Sequence, residues 1–256
     1  MGTTSMSQSA TEVYTSVYHQ TRFAFDPERA KVWRALCRYL QPWVDPQAGS
    51  LDLGAGYGDF SRFIQSGQKW ALDLNPDLIP HWAEDVRPLI QGALEPLPIE
   101  DSSLGTVFAS NFFEHFTADE GQQILTEARR VLKPGGKVIA VQPNFRLEPR
   151  RYFDDYTHKM AYTDMGFCGL LAASGFRVVQ SEPRFTPFTM KSRWPKAEWM
   201  VSLYLALPYR PLAGQFLVVA EADKYCIGAR RSRSFSRLTT KRIRSESRCW
   251  SISLPG

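Results

Sequence analysis

The chain has 256 residues, 43% of them apolar and 13% aromatic. This supports one large α/β core or two small ones and excludes a body too polar to fold. The formal net charge is +5, but nine Lys/Arg and one Glu lie between Lys224 and Gly256, so the rest of the chain is slightly acidic. A basic nucleic-acid-binding body is thereby excluded, and no specific nucleic-acid partner is expected.

Residues 1–20 are polar and aperiodic. Asp26-Pro27-Glu28 then supplies an N-cap, a first-turn proline and an early acid. They predict a helix from about Pro27 to Leu40 that closes an N-terminal segment, residues 1–44, as a helical lid. A short apolar strand follows at Ser50–Leu53, then three glycines and a helix at Asp59–Gln65. Trp70–Leu74 reads as a second strand, and Asn75-Pro76-Asp77 as the cap of another helix. Leu89-Ile90 marks a third strand and Thr106–Ser110 a fourth. Asp119–Leu132 is strongly periodic and is expected to stop at Lys133-Pro134-Gly135-Gly136. Lys137–Gln142 reads as a fifth strand, Ala161–Ser174 as a helix, and Phe176–Ser181 and Gln215–Ala222 as the last strands. Strands alternating with helices predict a parallel sheet covered on both faces, in a domain over residues 45–223. The Arg/Ser-rich run 224–256 buries too little to order itself and is expected to be a disordered tail.

Cys37, Cys168, Cys226 and Cys249 are far apart, with no C-x-x-C pair. A reducing, cytoplasmic setting is the expectation, and no metal site is expected. MGTTSMSQSA has neither the basic start nor the apolar run of a signal peptide. WMVSLYLALPY, Trp199–Tyr209, is too short to span a bilayer.

The informative stretch is LDLGAGYGDF, Leu51–Phe60. Asp52 stands two residues before Gly54, and Gly54, Gly56 and Gly58 alternate with Ala55 and Tyr57 in a strand-to-helix turn. Such a turn lets a ligand approach the backbone at the carboxyl end of a strand. The dinucleotide spacing G-x-G-x-x-G fails at Asp59, which would also face a pyrophosphate, and no Gly-Lys-Ser/Thr follows for a P-loop. A ligand without phosphates remains, a nucleoside bearing an amino-acid tail.

These residues resemble the first motif of the class I S-adenosylmethionine-dependent methyltransferases, and four further stretches follow in the family's order. ALDLNPDL is similar to the second motif, in which Asp73, beside Leu74, would accept hydrogen bonds from both ribose hydroxyls. In IQGALEPLP, Ala93 and Leu94 would flank the adenine; the family often has Asp where Ala93 stands, so the usual bond to the adenine amino group is in doubt. FASNFFEHF, with Asn111, resembles the fourth motif, and RRVLKPGGKVIAV the helix, turn and strand after it. The resemblance implies a Rossmann-like, doubly wound, mainly parallel seven-stranded sheet, S-adenosylmethionine as cofactor, and methyl transfer. QPNFR and YFDDYTH further resemble methyltransferases found with polysaccharide and glycosyl-transfer functions, which implies a small-molecule or glycan acceptor and O-methylation, with N- or C-methylation or non-catalytic binding as alternatives.

The transfer is an in-line displacement, and a hydroxyl acceptor profits from a base. His158 in FDDYTH, with Asp155 beside it, and His115 after the fourth strand are the candidates. D-D-x-x-H lies in a non-periodic segment and is not placed on a helical face, so no metal is assigned to it. The N-P-P-Y of base amino-methylases is broken by Phe112 and Phe113. Between Pro183 and Pro211, Phe185, Phe188, Trp194, Trp199, Tyr204 and Tyr209 read mainly as a covering helix, with Trp199, Leu203 and Ala206 at its helical spacing. Lys191, Arg193, Lys196 and Arg210 flank it, consistent with weak membrane-surface contact.

Overall fold

A computed structural model describes residues 25–187 and 197–223. The polar stretch 1–20, the segment carrying Phe188, Lys191, Arg193, Trp194 and Lys196, and the tail 224–256 lie outside the described residues.

The apolar runs become strands of one sheet. β1 (Gly49–Leu53), β2 (Lys69–Asp73), β3 (Val86–Ile90), β4 (Leu104–Ser110), β5 (Leu132–Pro143), β6 (Phe176–Glu182) and β7 (Gln215–Ala222) lie in the order β3-β2-β1-β4-β5-β7-β6. The pairs from β3 across to β5 are parallel, and β7 runs antiparallel to both β5 and β6. The expected mainly parallel sheet is therefore present as a mixed one. The chain reverses its direction of growth between β1 and β4. The carboxyl ends of those strands diverge there into the crevice where open α/β sheets bind ligands.

Both faces are covered, which is why the strands read as unbroken apolar runs. Leu51, Leu53, Val107, Ala109, Val138 and Ala140 pack against Ile124, Leu125 and Ala128 of α3 (Ala118–Val131) and Phe167 and Leu171 of α4 (Asp164–Ala173). On the opposite face, Phe108, Ile139, Leu217 and Val219 pack against Trp33, Leu36 and Leu40 of α1 (Arg29–Leu40). Phe60 of α2 (Asp59–Phe63) stacks flat on Phe108, ring centroids 3.9 Å apart. Each such side chain, fully buried, contributes about 1.5–3 kcal/mol. α3 starts at a reciprocal cap: Thr117 Oγ1 accepts from the Glu120 N–H, and the Glu120 carboxylate accepts from the Thr117 N–H.

Three expectations are corrected. Lys133–Gly136 ends the helix but does not separate it from the strand. β5 begins at once at Leu132, and the ladder to β4 slips between Leu104↔Leu132 and Thr106↔Lys137. Pro134 has no N–H to give the ladder and Gly135 has φ +80°, so the four residues form a bulge. In α5 (Glu198–Ala206) the stripe Trp199, Leu203 and Ala206 faces solvent, Trp199 being 68% exposed, while Val201, Tyr204 and Leu205 make the buried side. The helix is apolar nearly all round, so spacing alone does not choose a face. Arg210, read as a surface flank, is buried and paired with Glu182 and the Leu205 carbonyl.

Candidate active site at the switch point

The glycine turn leaves β1 and bends under the tip of β2. Gly54 has φ +65°, and a Cβ there would stand 2.5 Å from Cδ2 of Phe112. Gly54→Ala should therefore cost about 1–3 kcal/mol in backbone strain alone. It should lower Tm by several degrees in calorimetry and abolish cofactor binding; an unchanged Tm would mean that Phe112 simply moves aside. Gly58, with φ +71°, occupies the left-handed position before α2, where its missing Cβ makes room for the Trp82 ring. Ala55 N–H donates to the Leu72 carbonyl (2.9 Å), tying the turn to β2.

Asp73 ends β2 and is buried. Its Oδ2 accepts from the Gly56 N–H (2.9 Å) and its Oδ1 from the Asn75 N–H (3.0 Å). A carboxylate has about four acceptor positions, so each oxygen keeps one for a ligand hydroxyl. Asp52, within β1, accepts from Ser61 Oγ (3.1 Å). Burial pushes its carboxyl up to about 8; Asp59 and Asp73 add to the rise and the Ser61 bonds oppose it. Arg29 pairs with Asp59 at 2.8 Å, with both side chains largely buried.

The raised pKa of Asp52 has a consequence for stability. The folded state holds the Asp52 proton more tightly than the unfolded chain. That contribution is fully present near pH 4 and is lost as pH rises toward 8. Asp52→Asn lacks the titration, so its Tm relative to wild type should climb between pH 4 and 8. A shift of about 2–4 °C is expected for each kcal/mol removed. A Tm difference that stays flat with pH would show that Asp52 is ionised in the fold.

These groups line a cavity of about 620 Å³, together with Trp33, Phe60, Leu74, Ala93, Ser110, Asn111, Phe112, His115, Phe116, Tyr156, Thr157 and Lys159. Its size suits a nucleoside-bearing ligand. The residues present fit S-adenosylmethionine. The Gly54 backbone leaves space that a Cβ would fill, and Asp73 offers two acceptor positions. Asn111, with φ +48°, closes the wall and accepts from Gln215 Nε2. A second cavity, of about 700 Å³, lies by Tyr39, Asn144, Arg146, Glu182 and Arg210 and contains none of the motif residues.

Several predicted positions fall elsewhere. Gly58 and Tyr57 are not in the cavity wall; Tyr57 packs in a small cluster with Leu78 and Trp82. Leu94 is partly exposed outside the wall, and its carbonyl accepts from Gln123. Ala93 does line the cavity.

The catalytic candidates meet because segment 152–160 folds back onto the turn Phe113–His115. Lys159 and Met160 N–H groups both donate to the Glu114 carbonyl (2.8 and 3.1 Å). Asp155 Oδ1 accepts from the N–H (3.0 Å) and the hydroxyl (2.6 Å) of Thr157. Thr157 Oγ1 lies 2.9 Å from His115 Nδ1. With the Thr157 proton on Asp155, its oxygen is an acceptor, which places a proton on His115 Nδ1. Burial lowers the His115 pKa, and so does His158, against Asp155. His158 stands behind His115, with rings 5.1 Å apart, and outside the cavity wall. Burial lowers its pKa as well. Thr157 escaped sequence reasoning because nothing local marks it. Glu114 was visible only as the neighbour of His115, yet it is 1% exposed and burial pushes its carboxyl up to about 8.

Comparisons with known proteins agree with this geometry. The family described as "Methyltransferase domain" matches residues 51–140. Malonyl-[acyl-carrier protein] O-methyltransferase of Methylococcus capsulatus is 29% identical over 192 residues, 68% of this chain and 66% of that protein. Ubiquinone/menaquinone biosynthesis C-methyltransferase UbiE of Cupriavidus metallidurans is 27% identical over 143 residues, 51% and 57% of the two chains. This chain thus spans less than two thirds of the length of these curated relatives. Among solved structures, 1,6-didemethyltoxoflavin-N1-methyltransferase of Burkholderia thailandensis, with bound S-adenosylhomocysteine, superposes with TM-score 0.56 at 20% identity, over 87% of this chain and 92% of that one. A SAM-dependent methyltransferase from Archaeoglobus fulgidus gives TM-score 0.59 at 19% identity, over 81% and 99%. No helix among the described residues is long and apolar enough to cross a membrane. Motifs, sheet order and relatives converge: residues 51–140 match the methyltransferase-domain family, and the chain is similar to the class I S-adenosylmethionine-dependent methyltransferases.

Proposed function

We propose that the chain methylates an oxygen of a small hydroxyl-bearing acceptor, glycans included, at the expense of S-adenosylmethionine. The relatives' names span oxygen, carbon and nitrogen acceptors, so similarity does not choose the atom. The observation that carries the reading is the chain Asp155–Thr157–His115 at the cavity wall. An amine needs only to arrive uncharged, whereas a hydroxyl gains from a positioned base.

The bound cofactor supplies an electrophilic methyl group. The protein does the rest. Asp73 and the glycine backbone hold the nucleoside end, and Phe112 and Phe116 keep water from the cavity. His115, kept neutral by burial, takes the acceptor's hydroxyl proton as the oxygen–methyl bond forms. Asp155, acting through Thr157, fixes the ring and favours the imidazolium that results. The exposed apolar side of α5 supports weak contact with a membrane surface that would present a lipid-linked acceptor.

The test is a panel of sugars, glycans and small hydroxyl compounds incubated with labelled S-adenosylmethionine, with the methylated atom located by mass spectrometry and NMR. Methyl ethers are expected. Products methylated only on nitrogen or carbon would overturn the oxygen assignment.

A further inference from the structure

We propose that Glu114, His115 and His158 form a binding site for a divalent ion of the zinc class beside the cofactor cavity. One donor atom from each side chain lies within 4.8 Å of the other two. Two imidazoles and one carboxylate are the donor set of open zinc sites, which leave a coordination position for substrate or water.

The polar bookkeeping of the fold points the same way. Among the described residues, six buried side-chain atoms lack a hydrogen-bond partner, and three of them gather here: Glu114 Oε2, His158 Nδ1 and the Tyr162 hydroxyl. Unsatisfied buried groups are rare enough that each calls for an explanation, an ion among them. Glu114 is buried to 99%, and an unpaired carboxylate at that depth is costly. An ion would satisfy Glu114 Oε2 and His158 Nδ1 together.

The surroundings are those of a ligating pair. The Tyr152 backbone hydrogen-bonds His158 and favours its charged form, so the ring presents an N–H to that carbonyl and leaves Nδ1 as the lone-pair nitrogen. Thr157 and Asp155 orient His115 in the same way. Ligating histidines are commonly fixed by such outer partners. The backbone bonds from Lys159 and Met160 to the Glu114 carbonyl lock the two contributing segments together. A tetrahedral ion at about 2.1 Å from its ligands sets them about 3.4 Å apart, so loading draws the three side chains inward.

Of the three, only His115 lines the cavity, so an ion held by it would border the cavity, and an open position on it would be offered to the acceptor. This part of the inference rests on the oxygen-methylation reading. It narrows the acceptor to a hydroxyl beside a second oxygen, a vicinal diol or a hydroxy acid, which can chelate. In the ion-loaded form the hydroxyl, its pKa lowered by the ion, would give its proton to water; in the metal-free form His115 takes it.

The test uses the full chain, stripped with chelator and titrated calorimetrically with Zn²⁺ alone, and with Co²⁺ as a visible-absorbing substitute. One equivalent is expected, with Co²⁺ absorption typical of low coordination number. Glu114→Gln and His158→Gln should each weaken binding at least tenfold while circular dichroism shows a folded protein. If either variant fails to fold, X-ray absorption on the wild-type Co²⁺ form decides, with two imidazoles and one carboxylate expected. No saturable binding, binding unchanged in the folded variants, or a different ligand set would overturn the site. Metal binding needs no acceptor, so it stands or falls apart from the methylated atom. Oxygen methylation at full rate by metal-free protein would leave His115 as the base and overturn the ion's part in the reaction, the binding site itself being decided by the titrations.

Discussion

Replacing Asp73 by alanine should weaken S-adenosylmethionine binding by about 10²–10⁴-fold. Two hydroxyl donors lose a charged acceptor worth about 1.5–3 kcal/mol each, and every 1.4 kcal/mol is about tenfold in affinity. The residue also holds the glycine turn in place through the Gly56 N–H and caps the exit of β2 through the Asn75 N–H. Part of the loss therefore comes from a loosened cradle. Asp73→Asn separates the two contributions. It keeps the shape and one acceptor oxygen but turns an amide toward one of the two backbone donors, so an intermediate affinity is expected. Calorimetric titration gives the dissociation constants. Thermal unfolding is an independent readout, since ligand at a hundred times its dissociation constant stabilises the wild type by about 2.7 kcal/mol. A dissociation constant that barely changes in Asp73→Ala would take the ribose contact away from this residue.

His115→Ala should lower kcat by about 10²–10⁴-fold, the range that a positioned general base contributes. Cofactor affinity should be nearly unchanged, because the glycine turn and Asp73 remain. In the wild type, kcat/KM should rise with pH and level off below 6.5, since burial keeps the folded imidazole neutral to lower pH than a free one. Thr157→Val offers the sharper test. It preserves volume but removes the hydroxyl between Asp155 and His115, so the ring loses its link to the carboxylate while keeping its backbone contacts. A smaller fall in kcat is expected, with the pH profile displaced. A pH profile identical to wild type would assign Thr157 a purely structural role, and full activity in His115→Ala would end the base assignment.

The cofactor half of the site was legible in the sequence because its parts are local. Asp52, Gly54, Gly56 and Asp73 sit at strand ends, where chain order and strand order alone bring them together. The acceptor half was not. His115 becomes a candidate with geometry only when segment 152–160 folds back onto Glu114, across more than forty residues, and that contact is made by backbone N–H groups that carry no side-chain signature. His158 stood out by its residue type, yet the same fold-back puts it behind His115 rather than in the wall. The aromatic stripe of α5 misled for another reason. A short helix with apolar residues on every side offers no period by which to choose its buried face, and the choice fell to contacts with α1.

The place of β7 bears on how the protein is made. Among the described residues it is the last strand in chain order but not at the edge of the sheet, for it slots between β5 and β6 with Phe216 to Ala220 wholly buried. Until residue 222 has cleared the ribosome, β6 has no neighbour in the sheet and β5 shows one naked edge. Unpaired edges of this kind invite association between nascent chains. Sheet closure therefore waits on β7. Substitutions along Gln215–Ala222 should show themselves first as poor yield and chaperone dependence, before any change in chemistry is measurable.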